Sequence, residues 1–154
     1  MPAAIRIRPV EERDLPVFFE HQVDPVAAAM ALFPSRDRAA FDAHWARVLN
    51  DPSNITRAVE ADGATVGNIG SWEHDGERDV GYWIGREHWG RGIATAALAA
   101  FVTEVTARPL HAHVATSNVA SIRVLEKCRF VVVGEPSAGD DGVEELLMRL
   151  DGED

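Results

Sequence analysis

The sequence contains one cysteine, Cys128, which excludes a disulfide framework and any metal cluster built on several thiolates. It has no apolar run long enough to cross a membrane, and residues 1–6 contain no apolar segment of the kind found in secretion signals. Internal repeats and low-complexity segments are missing as well. These absences favour a globular protein of a reducing compartment, and we expect a cytoplasmic location.

Positive charge is also scarce, because 15 lysines and arginines stand against 25 acidic residues and give a formal net charge of −10. Such a surface repels nucleic acid and anionic membranes, so we predict neither as a partner, whereas a cationic small molecule would be attracted. With 154 residues, 46% of them hydrophobic, the chain is long enough for one domain. We assign this domain to residues 1–150 and an acidic tail to residues 151–154; a monomer and a homodimer are both open.

The stretch from Tyr82 to Leu98 is the strongest local signal, and it indicates a strand, a glycine-punctuated turn and a helix. Gly90 and Gly92 lie between a strand that ends at Ile84 and an alanine-rich helix. Such a junction leaves main-chain N–H groups without partners, and their partial positive charge suits a phosphate or pyrophosphate. The two glycines let that ligand approach the main chain without meeting a Cβ.

Two other phosphate motifs fail on these residues. The spacing of Gly85 and Gly90 fits a Walker A loop, but Arg91 and Gly92 stand where a lysine and a magnesium-binding hydroxyl are needed. A dinucleotide-binding fingerprint fails because Thr95 occupies its third glycine position and no acidic residue ends a strand about 20 residues further on.

Hydrophobic periodicity along the chain predicts an α/β (α+β) fold, with a mixed, mostly antiparallel central sheet and helices on both faces. The expected order is β-α-α-β-β-β-α-β-α-β-β. The turns at Asp62–Gly63 and residues 74–77 join the three middle strands as hairpins. Asn118 is the expected N-cap of the last helix, which precedes strands at 130–134 and 143–148.

Further expectations concern helix starts and the tryptophans. Asp14 and Ser35 are the predicted N-caps of the first two helices, and residues 24–34 between those helices are predicted to be irregular. Trp89 is expected beside the ligand of the glycine turn. The tryptophans that we expect in the core are Trp45, Trp72 and Trp83.

Two motifs lie about one strand–helix–strand unit apart, the turn Trp89-Gly-Arg-Gly-Ile-Ala94 and the helix Asn118-Val-Ala-Ser-Ile-Arg-Val-Leu-Glu-Lys-Cys-Arg-Phe130. In this order they resemble the GNAT superfamily of acetyl-CoA-dependent N-acetyltransferases. With Gly81-Tyr-Trp-Ile84, the likeness favours the branch of ribosomal-protein N-terminal and antibiotic acetyltransferases. It covers nearly the whole chain and implies the GNAT fold.

The resemblance implies acetyl-CoA as the cofactor. In the family, main-chain N–H groups of the glycine turn bind the pyrophosphate, and the pantetheine arm lies between the strand before the turn and the strand after the helix. The acceptor amine would attack the thioester carbonyl directly, without a covalent intermediate. The implied cofactor-binding residues are Trp83, Ile84, Trp89, Gly90, Arg91, Gly92, Ile93, Ala94, Thr95, Asn118 and Ser121.

Two positions depart from the family pattern. Leu125 occupies the place of a tyrosine that protonates the departing CoA thiolate in many members. Ser121, one helical turn earlier, is the implied catalytic substitute, although a serine there also fits a role in bonding the first turn of the helix. Arg129 stands where the family commonly has glycine, which should cost about 1 kcal/mol if a left-handed helix stop is retained.

We expect the general base that deprotonates the amine to lie at the end of a predicted strand. Glu73 and His74, with Asp79 behind them, are the candidates, and a solvated turn is the alternative interpretation of this cluster. The likeness to the family puts the acceptor between residues 24–37 and residues 135–142. Both segments contain carboxylates, which suits the primary amine of a small molecule or of a protein N-terminus.

No metal site is predicted, because His111 and His113 have no ligand-like spacing with Cys128. Three functions remain open from the sequence. The first is an N-acetyltransferase, the second is a non-catalytic acyl-CoA-binding or regulatory module, and the third is a structural interaction domain.

Overall fold

The computed structural model of the protein describes residues 4–31, 35–138 and 142–152. These residues are arranged around one seven-stranded sheet. The strands are β1 (Ile5–Pro9), β2 (Ile55–Ala61), β3 (Ala64–His74), β4 (Glu77–Ile84), β5 (Leu110–Ala115), β6 (Val131–Ala138) and β7 (Glu144–Leu150). The helices are α1 (Leu15–Val23), α2 (Pro25–Ala31), α3 (Arg38–Asn50), α4 (Ile93–Glu104) and α5 (Val119–Lys127). Within these ranges, no helix has both the length and the apolar character needed to cross a bilayer.

The strands lie in the order β1-β2-β3-β4-β5-β7-β6, and every neighbouring pair is antiparallel except β4 and β5. Two tight turns join β2, β3 and β4 as hairpins. Their first residues, Asp62 and Asp75, have φ angles of 51° and 52°, and a glycine with positive φ follows each of them. The prediction of a mixed, mostly antiparallel sheet is confirmed.

Helices cover both faces of the sheet, as predicted. α4 and α5 pack on one face, and α1 and α3 pack on the other. Adjacent residues of β2, Ala58 and Val59, belong to different cores, because successive side chains of a strand point to opposite faces. The helical residues of the larger core are Ile93, Ala97, Leu98, Phe101 and Leu125. Those of the smaller core are Phe18, Phe41 and Trp45.

The segment between α1 and α3 differs from the prediction of an irregular stretch. Residues 25–31 form α2, whereas residues 32–34 lie outside the described part of the chain. Pro25 is tolerated at the first helical position, and the carboxylate of Asp24 accepts a hydrogen bond from the Val26 N–H at 2.9 Å. Alanine-rich sequence then continues the helix.

The predicted cap of α3 is also corrected. Asp37, rather than Ser35, is the N-cap and accepts a hydrogen bond from the Ala40 N–H at 2.8 Å. Ser35 instead donates its hydroxyl hydrogen to the Gln22 carbonyl at 2.7 Å. Ser35 therefore links the loop before α3 to α1, and the Asp37 carboxylate caps α3.

Two further expectations about side chains and strand ends are wrong. Trp72 is 41% exposed and lies over Gly81 rather than in the core. β6 continues past its predicted end at residue 134, because Gly134, with φ of 74°, takes up an irregularity in the pairing with β7. Arg129 retains the left-handed conformation, with φ of 73°, so it carries the predicted cost of about 1 kcal/mol.

A buried ion pair fixes β1 to the start of α1. Asp14 is the N-cap residue of α1, as predicted, but its side chain makes no capping hydrogen bond and binds Arg8 instead. The Asp14 carboxylate accepts two hydrogen bonds from Arg8, at 2.8 and 2.9 Å, one from the Thr65 hydroxyl and one from the Glu11 N–H. Arg8 also contacts Glu60. Burial alone would raise the pKa of Asp14, but these hydrogen bonds, led by Arg8, lower it to about 2.

The Arg8→Ala variant should lower the free energy of unfolding by about 3–5 kcal/mol, because the Asp14 carboxylate would stay buried without its cationic partner. Urea denaturation at pH 7, with an unchanged m-value, measures this loss. Arg13→Ala is the control, since the Arg13 side chain is 67% exposed and its ion pair with Glu11 should contribute less than about 1 kcal/mol. Equal losses in the two variants would contradict a structural role for the buried pair.

Candidate functional site

β4 and β5 separate soon after they pair. In the described chain their parallel pairing is confined to Arg78 with Leu110 and Asp79 with His111. Beyond that point each strand keeps one neighbour, since β4 continues along β3 and β5 along β7. One edge of β4, over residues 80–84, therefore faces a cleft instead of another strand, which leaves main-chain groups available to a ligand.

A cavity of about 490 Å³ lies in this cleft, within the size range of small-molecule sites. Its walls come from β4, the start of α4, one side of α5 and the overlying α2. The predicted cofactor-binding residues that line it are Trp83, Ile84, Trp89, Gly90, Gly92, Ile93, Ala94, Thr95, Asn118 and Ser121. The structure thus brings all but one of those predicted residues into a single cavity.

The glycine turn presents main-chain N–H groups at one end of the cavity. Gly90 and Gly92 have φ angles of 76° and 74°, and a Cβ at either position would meet no atom within 4 Å. Gly92 is the N-cap of α4, and its carbonyl accepts the first helical hydrogen bond from the Ala96 N–H. The N–H groups of residues 93–95 precede that bond, so they can bind an anion there.

Two contacts hold the loop between β4 and α4. The indole Nε1 of Trp89 donates to the Ile84 carbonyl at 2.9 Å, and the ring lies along the cavity wall. Arg86 Nε lies 2.7 Å from Asp24 Oδ2, at the residue that precedes α2. The loop is thereby attached both to the end of β4 and to the helix that covers the cavity.

Two cations of α5 line the cavity and were missed from the sequence. Arg123 and Lys127 are four residues apart and so lie on the same side of the helix. Among the described residues that line this cavity there is no carboxylate. In a chain with a net charge of −10, this local excess of positive charge favours an anionic ligand. The sequence signal for these two cations was their four-residue spacing within the helix that Asn118 caps, which puts both on one side of that helix.

The hydroxyl groups of Tyr82 and Ser121 lie 2.6 Å apart on the cavity wall. Ser121 is held in the first turn of α5, where its N–H donates to the Asn118 side chain at 3.3 Å, which confirms the predicted cap. Burial raises the pKa of Tyr82 to about 12, although the Ser121 hydrogen bond opposes the shift, so the phenol is protonated at neutral pH. Leu125 is 2% exposed and belongs to the core. Tyr82 therefore supplies a phenol to this wall from β4.

A second, smaller cavity of about 120 Å³ lies on the other face of the sheet, and Trp83 lines both cavities. Burial lowers the pKa of His44, and the nearby Arg36 and Arg47 add to this effect. Gln22 exchanges two hydrogen bonds with the Arg36 main chain, at 2.8 and 3.0 Å, which holds that loop in place. The other lining residues are Phe18, Phe41, Trp45 and Asn68.

Glu73 and His74, the candidates for the general base, lie at the hairpin end of β3 and are not among the lining residues of either cavity. The Glu73 side chain is 65% exposed and contacts Arg78. His74 lies beside Asp79, with 3.4 Å between Nδ1 and Oδ2. The structure brings His74 and Asp79 together but does not bring them to Ser121, so the assignment of a base stays a prediction.

Arg91 is the predicted cofactor-binding residue that does not line the cavity, and its guanidinium lies 3.3 Å from His88 Nδ1. Its role in binding the cofactor stays a prediction. The two predicted acceptor segments are described only in part, since residues 32–34 and 139–141 lie outside the described ranges. In the described parts, α2 borders the larger cavity and Arg36 borders the smaller one.

Solved structures with the same architecture include a spermidine N-acetyltransferase from Vibrio cholerae in complex with CoA and spermine. It has a TM-score of 0.82 and 16% identity, and the match covers 96% of this chain and 95% of that one. The aminoglycoside acetyltransferase AAC(6')-Ib in complex with CoA has a TM-score of 0.81 and 19% identity, with coverage of 96% and 95%. A GNAT-family acetyltransferase from Bacillus anthracis has a TM-score of 0.81 and 17% identity, with coverage of 96% and 94%.

At these identities the structural likeness shows the fold. A comparison with curated protein sequences gives no significant match. Residues 4–131, which are most of the chain, match the family described as the acetyltransferase (GNAT) domain. The parted strands, the glycine turn and the family match agree, and the chain belongs to the GNAT acetyltransferase family.

Proposed function

We propose that this protein transfers the acetyl group of acetyl-CoA directly to a primary amine. One observation carries the proposal: a single cavity joins the anion-binding start of α4 to the hydroxyl pair of Tyr82 and Ser121 along the free edge of β4. An acyl-CoA needs both ends of such a site, one for its phosphates and one for its thioester. The CoA complexes of the spermidine and aminoglycoside acetyltransferases, which share this architecture, support the same cofactor.

The phosphates of CoA would bind at the glycine turn. The N–H groups of residues 93–95 and the partial positive charge of the helix start attract the pyrophosphate. Arg123 and Lys127 add full charges on the opposite wall, where they can neutralise the remaining phosphate of CoA. The pantetheine arm would then follow the edge of β4 toward Tyr82, with Asn118 on the far side of the cavity.

In the chemical step the neutral amine nitrogen attacks the thioester carbonyl carbon, a C–N bond forms, the C–S bond breaks and the sulfur leaves as a thiolate. The nitrogen loses one proton to the general base or to water. Ser121 would donate a hydrogen bond to that thiolate while Tyr82 donates to Ser121. A thiol has a pKa of about 8.5, so full proton transfer from a phenol with a pKa of about 12 is uphill by about 5 kcal/mol. The pair therefore stabilises the thiolate by hydrogen bonding, and solvent supplies the proton.

The acceptor would approach from the face of α1 and α3, because Trp83 lines both the larger cavity and the smaller one on that face. The described residues of the smaller cavity include Arg36 and His44 and no carboxylate. Because the pKa of His44 is lowered, Arg36 carries the positive charge of this lining, and that charge favours a primary amine with a carboxylate of its own, such as an amino acid or an acidic peptide, over a polyamine. Glu73 and His74 stay predictions for the base, with no contact to this path.

The alternative is a non-catalytic module that binds acyl-CoA. The cavity would serve such a module equally well, but a module needs no hydroxyl pair beside the thioester. The position of Tyr82 and Ser121 on the cavity wall favours the enzyme, because two hydrogen-bonded hydroxyls at that place can stabilise the negative charge of a departing thiolate.

The activity is tested by thiol release from acetyl-CoA across a panel of amino acids, acidic peptides, polyamines and aminoglycosides. We expect release that depends on the acceptor, with the highest kcat/KM among carboxylate-bearing amines. The matched controls are the decarboxylated analogues, which keep the amine and lose the charge that Arg36 would recognise. Tight CoA binding without turnover on any amine would support the non-catalytic module, and a preference for polyamines would refute the proposed acceptor class.

The Gly92→Val variant should weaken CoA binding by at least about 10-fold, because its side chain would stand between the phosphates and the N–H groups of α4. A CoA titration followed by calorimetry or thermal shift measures the change. Gly63→Val is the matched control, since Gly63 also has a positive φ, of 85°, and open space around its Cβ position. It should suffer the same backbone strain and keep its CoA affinity. Equal loss of affinity in both variants would refute a local role for Gly92.

Tyr82→Phe and Ser121→Ala should each lower kcat about 10-fold or more, with CoA affinity changed by less than about threefold. Because the two hydroxyls act through one hydrogen bond, the double variant should lose less than the product of the single losses. Ser53→Ala, at an exposed position between α3 and β2 and outside both cavities, is the control for removing a hydroxyl. Unchanged kcat in both single variants would contradict the role in thiolate stabilisation.

A further inference from the structure

Side chains from three strands meet on the uncovered part of the sheet that continues the face of α1 and α3. His74 comes from the end of β3, Asp79 from β4 and His113 from β5. One potential ligand atom of each residue lies within 4.8 Å of the other two. We propose that His74, Asp79 and His113 bind one divalent transition-metal ion of the Zn²⁺ class.

The distances suit such an ion. His74 Nδ1 lies 3.4 Å from Asp79 Oδ2, and His113 Nε2 lies 3.6 Å from the same oxygen. Ligand atoms about 2.0–2.1 Å from a tetrahedral Zn²⁺ are about 3.3 Å apart, so these two separations need almost no adjustment. The remaining separation, between the two imidazole nitrogens, is at most 4.8 Å and needs to close by no more than about 1.5 Å, which rotation of the partly exposed rings can provide.

Asp79 supplies an independent observation that indicates a cation. Its side chain is 4% exposed, and its Oδ1 is buried without a hydrogen-bond partner among the described residues. A buried carboxylate with an unsatisfied oxygen is costly, and burial raises the pKa of Asp79 accordingly. The imidazoles of His74 and His113 approach the other oxygen, Oδ2. A bound metal ion would supply the positive charge that this carboxylate lacks.

The outer nitrogens of both histidines also face carboxylates. His113 Nδ1 lies 3.5 Å from Glu145 Oε1, and His74 Nε2 lies 3.5 Å from Asp75 Oδ2. A metal-binding histidine typically directs its second ring N–H to a carboxylate, which fixes the tautomer and leaves the other nitrogen free to ligate. Both rings are therefore oriented with their ligating nitrogens toward Asp79.

Two imidazoles and one carboxylate leave room for water or another ligand at the metal. The His74 and His113 side chains are 48% and 39% exposed, so the open side of the cluster reaches solvent. This donor set suits Zn²⁺, Co²⁺, Ni²⁺ or Fe²⁺ better than Mg²⁺ or Ca²⁺, which prefer oxygen ligands. The site lies on the opposite side of β4 from Tyr82, because residues 79 and 82 point to opposite faces.

This proposal replaces the expectation of no metal site, which rested on the spacing of His111 and His113 from Cys128. A hairpin turn separates His74 from Asp79, and α4 with the loops on either side of it separates Asp79 from His113. Strand register rather than sequence spacing therefore brings the three ligands together. His111 is the neighbour on the same face, and its Nδ1 lies 3.6 Å from Glu77. His111 lies beside the three ligands and is not one of them.

Zn²⁺ titration of the untagged, metal-stripped protein tests the proposal by calorimetry, with Co²⁺ absorption as the probe of imidazole and carboxylate ligation. We expect one ion per chain. Asp79→Asn and His113→Gln should each weaken Zn²⁺ binding at least about 100-fold, whereas Glu145→Gln should weaken it about 10-fold to 100-fold through the orientation of His113. His44→Gln is the matched control and should retain wild-type affinity, since His44 lies outside the cluster.

Absence of stoichiometric Zn²⁺ binding to the wild-type protein would overturn the proposal without recourse to any variant. Binding that survives in both Asp79→Asn and His113→Gln would overturn it as well, since the ion would then lie elsewhere. Circular dichroism checks that each variant is folded, and Glu145→Gln, at a partly exposed strand position, tests the site even if Asp79→Asn does not fold.

Discussion

The parting of β4 from β5 is the constraint on which the rest of the structure depends. In a sheet the main-chain groups of each inner strand normally form hydrogen bonds with a neighbouring strand on both sides. After Asp79, β4 has no strand partner on the side of β5. The sheet tolerates this loss because β3 pairs with β4 along its whole length and β7 pairs with β5 along its whole length. Neither strand is left unsupported, so the cleft between them can stay open for a ligand.

The side chains of β4 line two different cavities around that cleft. Tyr82 and Ile84 point toward α4 and α5 and line the larger cavity, whereas Trp83 between them also borders the smaller cavity. Strand alternation alone produces this arrangement, since neighbouring side chains point to opposite faces. One short strand therefore reaches both the larger cavity and the smaller one on the other face of the sheet. In the proposed reaction these two cavities would serve the cofactor and the acceptor.

What could be predicted from the sequence depended on how far apart the interacting residues are in the chain. The glycine turn and the Asn118 cap rest on contacts within a few residues, and both were predicted correctly. The cap of α3 was misplaced because Ser35 found a partner in α1, which local preference does not reveal. The contact of Tyr82 with Ser121 joins a strand to a helix 39 residues away. Only the register and the packing of the sheet determine such a contact, so sequence spacing carried no sign of it.

The parallel ladder between β4 and β5 is only two residue pairs long, and it has to hold the closed end of the cleft together. Asp79 is its last paired residue, and the cluster with His74 and His113 lies directly over it. An ion bound by β3, β4 and β5 would link three adjacent strands where the hydrogen bonds between two of them stop. Metal ligation would then strengthen the junction from which the cleft opens, while its chemistry stays on the face away from Tyr82. The shortest ladder between the described strands would thus be reinforced from the side that the cofactor does not occupy.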